Sequence, residues 1–144
     1  MVSIIIPSFN EQFKLIETLD ALNQHINKFF SDIEYEIIVI DSSEDNTFEI
    51  IKKSEYYKNG QFKFIHSNKR LFPGEARNMG IKNSKYNIIV FVDSGFSFKE
   101  NWLARLVEPL LDNPEIDIAW GITETSTKCK KDRIIFSWKQ SITA

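Results

Sequence analysis

Two aspartates each close a run of apolar residues. Asp41 follows Tyr35 to Ile40, and Asp93 follows the run that ends at Val92. Where a buried run stops at an acid, the chain leaves the core, and the carboxylate stands at the rim. Two such acids at one rim share a crevice. There a carboxylate can accept an N–H or, helped by water and phosphate oxygens, hold a hard divalent cation. Between them lie Arg70, Arg77 and, just ahead of a short predicted helix, Gly74. A guanidinium suits phosphate, a helix start favours anions, and glycine lets backbone approach closely. These residue types suit a ligand that carries phosphate.

Other chemistries are set aside on spacing. The turn after the first apolar run reads P-S-F-N-E, not the G-x-G-x-x-G of a dinucleotide site. Neither a G-x-x-x-x-G-K-[ST] phosphate loop nor a G-x-S-x-G nucleophile elbow occurs. His25 and His66 are far apart, without Cys or His neighbours at zinc-ligand spacing. Both are expected to be structural or surface residues.

The elements that must position these residues alternate along the chain. Short β-branched runs at Val2–Ile6, Tyr35–Ile40, Phe62–His66, Tyr86–Val92 and Ile116–Gly121 read as five buried strands. Between them, helices are expected over 11–28, 45–57, 74–83 and 99–112. The first carries Leu15, Ile16, Leu19, Leu22 and Ile26 on one stripe. Asp45 is placed to cap the second, and Pro109 should weaken or kink the last. A further element is expected over Ile134–Trp138. Strand–helix alternation predicts an α/β fold, a mostly parallel sheet with helices on both faces. Ligands of such sheets bind beyond the carboxyl ends of the strands.

The 144 residues suffice for one domain, with 42% hydrophobic and 26% charged residues arguing against disorder. A net charge of -2 offers no field for nucleic acid, and Lys128, Lys130 and Lys131 read as a solvated loop. Cys129 is the only cysteine, so no intrachain disulfide forms, which fits a reducing cytoplasm. No apolar run reaches the roughly 18 residues of a membrane span. Peripheral contact with a membrane would leave no mark here.

Four segments together, "VSIIIPSFNE", "EIIVIDSSEDNT", "FPGEARNMGIKNSKYNIIVFVDSG" and "ENWL", resemble the family 2 glycosyltransferases, which have the GT-A fold. The resemblance runs from Val2 to about Gly121. It implies an enzyme that moves a sugar, with inversion, from a nucleotide diphosphate donor, a UDP-sugar first, to a hydroxyl of a glycan, a lipid or another acceptor. Carried over residue by residue, Pro7, Phe9, Asn10 and Glu11 would line the nucleoside pocket. Asp41 would accept a hydrogen bond from the base, and Arg77 would lie near the nucleotide or its diphosphate. Asp93 would be the first acid of the D-x-D pattern that holds Mg²⁺ or Mn²⁺. Each has a plainer reading too. Asp41 and Asp93 could cap loops, Arg77 could pair with Glu75 or Asp41, Asn10 could start a helix, and Phe9 could be a core edge. Trp102 reads as packing.

Two features depart from the family pattern. Gly95 stands where the second acid of D-x-D belongs. Either Asp93 with waters and diphosphate oxygens suffices, or Glu100 or Glu124 substitutes, or the domain no longer catalyses. The only acids after Gly121 are Glu124 and Asp132, and neither sits in a recognisable base motif, so the catalytic base is unassigned. The chain is expected to be the donor half of a longer enzyme or a shortened protein. Its apolar tail, "RIIFSWKQSITA", would favour truncation or an oligomer. The alternative function is a non-catalytic nucleotide-sugar-binding or assembly module. A nucleotidyltransferase is a weaker rival, because no glycine-rich loop follows the first strand.

Overall fold

The structure is a computed structural model and describes residues 1–29 and 33–121. Four strands, β1 (Val2–Ser8), β2 (Tyr35–Asp41), β3 (Phe62–His66) and β4 (Ile88–Phe91), form one sheet in the order β3-β2-β1-β4. Every pairing is parallel. The helices are α1 (Gln12–Phe29), α2 (Thr47–Lys53), α3 (Pro73–Lys82) and α4 (Trp102–Asp112), with a 3₁₀ turn at Glu55–Lys58.

β1 and β2 are the central strands, and Ile4, Ile5, Ile6 and Ile37 to Ile40 are wholly buried. Alternate side chains go to opposite faces. Ile4, Ile6, Ile37 and Val39 meet the α1 stripe of Leu15, Leu19, Leu22 and Ile26, with Ile51, Leu103 and Val107. Ile5, Ile38 and Ile40 meet Ala76 of α3 on the other side. Burying each such side chain is worth about 1.5–3 kcal/mol, so this two-sided core drives the fold. α3 lies so close to the sheet that a Cβ on Gly80 would come within 2.4 Å of Ile5 Cγ2. Glycine is required there for the close approach.

Several elements differ from the expectation. Ile116–Gly121 is irregular; Ile118 and Trp120 are exposed, and no described strand pairs with them. An apolar run becomes a strand only when a neighbour takes its backbone groups. The helix expected over 45–57 breaks at Ser54, whose extended backbone (ψ 158°) separates α2 from the 3₁₀ turn. α4 begins only at Trp102, after Asn101 in a left-handed conformation (φ 58°). Pro109 sits inside α4 without ending it. β4 is shorter than Tyr86–Val92, although the Val92 amide still donates to the Ile5 carbonyl at 3.0 Å. The Ile134–Trp138 element lies outside the described residues, as do Cys129 and the Lys128–Lys131 run. No described helix is long and apolar enough to cross a membrane.

Candidate functional site

Because all four strands are parallel, their carboxyl ends share one rim. There the loops after β1 and β4 and the start of α3 enclose a crevice of about 320 Å³. Pro7, Ser8, Phe9 and Glu11 line it from the first loop, and Asp93 and Ser94 from the last. Arg70, Ala76 and Arg77 come from the segment that leads into and forms α3. Thus Pro7, Phe9, Glu11, Arg77 and Asp93, five of the seven residues expected at a site, meet in one place.

Asn10 and Asp41 lie elsewhere. Asn10 faces a neighbouring recess with Glu11, Gln12 and Asp45. It adopts φ 55°, a left-handed conformation that asparagine tolerates. It does not start α1. Its side-chain oxygen accepts from the Glu44 amide at 3.0 Å, and its own amide donates to Ser43 Oγ at 2.8 Å. Gln12 Nε2 adds a bond to Asp45 Oδ2 at 3.1 Å. These bonds tie the loop after β1 to the loop after β2. Asp45 accepts the Thr47 amide at 2.9 Å, but it stands one residue before the N-cap of α2, which is Asn46 and makes no side-chain capping bond.

Asp41 is buried beneath the rim at 1% exposure. Ser43 Oγ donates to its Oδ1 at 2.5 Å, and His66 Nδ1 lies 2.8 Å from its Oδ2. Next to a carboxylate oxygen, Nδ1 is the ring nitrogen placed to donate. His66 is itself stacked on Phe48, with ring centroids 4.3 Å apart. A chain of bonds therefore runs Asn10–Ser43–Asp41–His66, from the loop after β1 through the loop and end of β2 to the end of β3. Ser43 and His66 were not singled out from sequence as parts of the site. Only their nearness in space reveals them, because Ser43 is 33 positions from Asn10, and His66 is 25 from Asp41.

Arg77 pairs with neither Glu75 nor Asp41. Its Nη2 donates to Asp93 Oδ1 at 2.8 Å. Glu75 turns back to accept the Phe72 amide at 2.8 Å at the start of α3. Arg70 lies over the Phe9 ring, with Cζ 4.4 Å from the centroid. This contact holds the guanidinium over the crevice while leaving its N–H groups available. The Ser8 hydroxyl is buried on the crevice wall and has no hydrogen-bond partner. A buried polar atom without a partner costs free energy until a ligand or water satisfies it.

The position of the missing acid has a conformational reason. Gly95 sits at φ 86°, a region that side chains other than glycine rarely enter. Its amide donates to Thr18 Oγ1 at 2.8 Å, which pins the loop to α1. Glu100 does not replace the acid. It lies 3.9 Å from Lys28, whereas the crevice end of α1 is at Gln12, about 24 Å away along the helix axis. Glu124 is outside the described residues. Among the described residues, no cluster of three or more His, Cys, Asp or Glu could hold a metal ion.

This parallel sheet, with helices packed on it and a crevice at its carboxyl rim, has the GT-A architecture. The chain belongs to glycosyl transferase family 2, whose family model matches residues 3–139. It is 30% identical over 125 residues to the glycosyltransferase AglE of Haloferax volcanii, a match covering 85% of this chain and 39% of that protein. It is 37% identical over 111 residues to the poly(ribitol-phosphate) beta-N-acetylglucosaminyltransferase TarP of Staphylococcus aureus, covering 73% of this chain and 31% of that one. Staphylococcus aureus TarS in complex with UDP-GlcNAc superposes with a TM-score of 0.59 at 26% identity, over 75% of this chain and 31% of that structure. A mannosyltransferase from Pyrobaculum calidifontis, in complex with GDP-Man and Mn²⁺, gives a TM-score of 0.63 at 23% identity, over 74% of this chain and 31% of that one. The latter likeness speaks for the fold alone. The chain spans less than half the length of the curated relatives it matches.

Proposed function

We propose that this domain binds a nucleoside diphosphate sugar, a UDP-sugar first, and serves an inverting transfer of the sugar to an acceptor hydroxyl on a glycan, lipid or other molecule. The observation that carries the reading is the convergence of Phe9, Arg70, Arg77, Asp93 and the unpartnered Ser8 hydroxyl on one crevice at the carboxyl rim. In this reading Pro7 and Phe9 flank the nucleoside, with Asn10 and Glu11 shaping the turn beside it. Arg70 and Arg77 take the diphosphate, whose negative charge grows as the sugar bond breaks. Asp41, expected to read the imide N–H of the base, does not line the crevice and is 1% exposed, so its part is to hold Ser43 and His66 beneath the rim.

A divalent cation, Mg²⁺ or Mn²⁺, at Asp93 is the family expectation. The donor set around Asp93 fits one poorly. It offers a single carboxylate, one oxygen of which already receives a guanidinium, and Gly95 contributes no side chain. A single cysteine and a nucleotide-sugar donor suit the cytoplasm, and a lipid acceptor would bring the domain to the membrane surface.

The test is thermal unfolding with UDP, UDP-GlcNAc and GDP-mannose at millimolar concentration, followed by an assay for nucleotide release in the presence of acceptor glycans. A rise in melting temperature with a uridine nucleotide supports the reading, and the absence of any shift rejects it. Binding without nucleotide release would favour the non-catalytic alternative.

A further inference from the structure

Resting on the donor site proposed above, we propose that the Arg77 guanidinium takes the place of the divalent cation, bridging Asp93 and the donor's diphosphate, so that donor binding is independent of metal. A metal in such a site sits between a carboxylate and phosphate oxygens. Arg77 already has the first of those contacts, at 2.8 Å through one Nη2 bond. A guanidinium has five N–H donors in a fixed fork, so the rest can turn to phosphate without breaking that bond.

The surroundings of the pair agree. Asp93 is half exposed at the crevice mouth, and Arg77 is more buried, at 53% and 34% of the side chain respectively. The guanidinium also lies near the Phe91 ring, with Cζ 5.8 Å from the centroid. A second cation, Arg70, faces the same crevice from its seat on Phe9. The start of α3 lines the crevice at Pro73, with no side chain within 4 Å of the Gly74 Cβ position. The buried Ser8 hydroxyl points to a ligand there independently of these charges. Against this, a cation at Asp93 would have to displace Arg77 or sit beside its like charge, with no second acid to offset the repulsion. The φ of 86° at Gly95 disfavours a carboxylate at that position.

The two arrangements give opposite signs for one variant. If Arg77 is the bridging charge, Asp93 is a negative group that repels the nearby diphosphate, so Asp93→Asn, whose amide oxygen can still accept from Arg77, should tighten binding. If Asp93 anchors a metal, the same change should weaken binding. The experiment is calorimetric titration of the full-length protein with UDP, in EDTA and in Mn²⁺, for the wild type, Asp93→Asn and Arg77→Ala. The expected result is a wild-type Kd that differs by less than about threefold between the two conditions. In EDTA, Asp93→Asn should bind more tightly, and Arg77→Ala roughly tenfold or more weakly. Binding that needs Mn²⁺ and is lost in Asp93→Asn would overturn the proposal while leaving the donor site intact. No binding in either condition would overturn the donor-site reading, and this proposal with it.

Discussion

Arg77 Nη2 and Asp93 Oδ1 stand 2.8 Å apart and join α3 to the end of β4 across the mouth of the crevice. An exposed pair of this kind adds only about 0–1 kcal/mol to stability. Its position therefore matters more to the crevice than to the fold. Arg77→Ala should shift the unfolding free energy by less than about 1 kcal/mol, as read by urea denaturation. The same variant should lose most of its affinity for UDP. A large stability loss together with unchanged affinity would show the pair to be structural.

Ser43 should be costly to remove. Its hydroxyl accepts the Asn10 amide and donates to buried Asp41, so Ser43→Ala leaves two groups short of partners. The expected loss is about 1–3 kcal/mol in urea denaturation with the m-value unchanged. Uridine affinity should fall too, because the loops after β1 and β2 lose one of their ties. Ser43→Thr, which keeps the hydroxyl, should recover part of both.

Restoring the absent acid should not restore a metal site. Gly95→Asp meets no steric block, since only Lys14 Cδ lies near the new Cβ, at 3.6 Å. The backbone at φ 86° is the obstacle, and the expected cost is about 1–2 kcal/mol. UDP binding by this variant should stay insensitive to EDTA. A gain of tight Mn²⁺-dependent binding would show that the loop rearranges readily.

His25 should give stability a dependence on acid. It is 7% exposed among Phe29, Phe98 and Trp102, and its Nε2 has no hydrogen-bond partner. Burial lowers its pKa below the ordinary 6.5. Below that pH the unfolded chain takes up a proton that the folded state resists, so stability falls as pH drops from 6.5 through the lowered folded value. Above 6.5 the imidazole is neutral in both states, and the slope from this group vanishes. Urea denaturation across that range should show the decline, and His25→Phe should flatten it. An identical slope in the variant would assign the effect to other groups.

Much of the architecture was legible in the chain because periodicity is a local property. The β-branched runs of β1 and β2 and the Leu15–Ile26 stripe each carry enough apolar side chains to be identified without their neighbours. The same reasoning failed at Ile116–Gly121, an apolar run interrupted by Asp117 that has no described partner strand. Whether a run becomes a strand depends on what lies beside it, and that is not written in the run itself.

The residue types of the site, and their place at strand ends, were determined by sequence alone. Asp41 and Asp93 end apolar runs, Arg77 falls in a short helix, and Gly95 occupies the position of a second acid. The tertiary structure decided which of these groups touch. It put Arg77 on Asp93, not on Glu75 or Asp41, and sank Asp41 between Ser43 and His66. It also brought Arg70 onto Phe9, 61 positions away, and left the Ser8 hydroxyl without a partner in the crevice wall. The physical reason is that a parallel sheet gathers loops distant in sequence at one rim. Pairing among their charged and polar side chains depends on separations of a few ångströms, which only the packed chain sets.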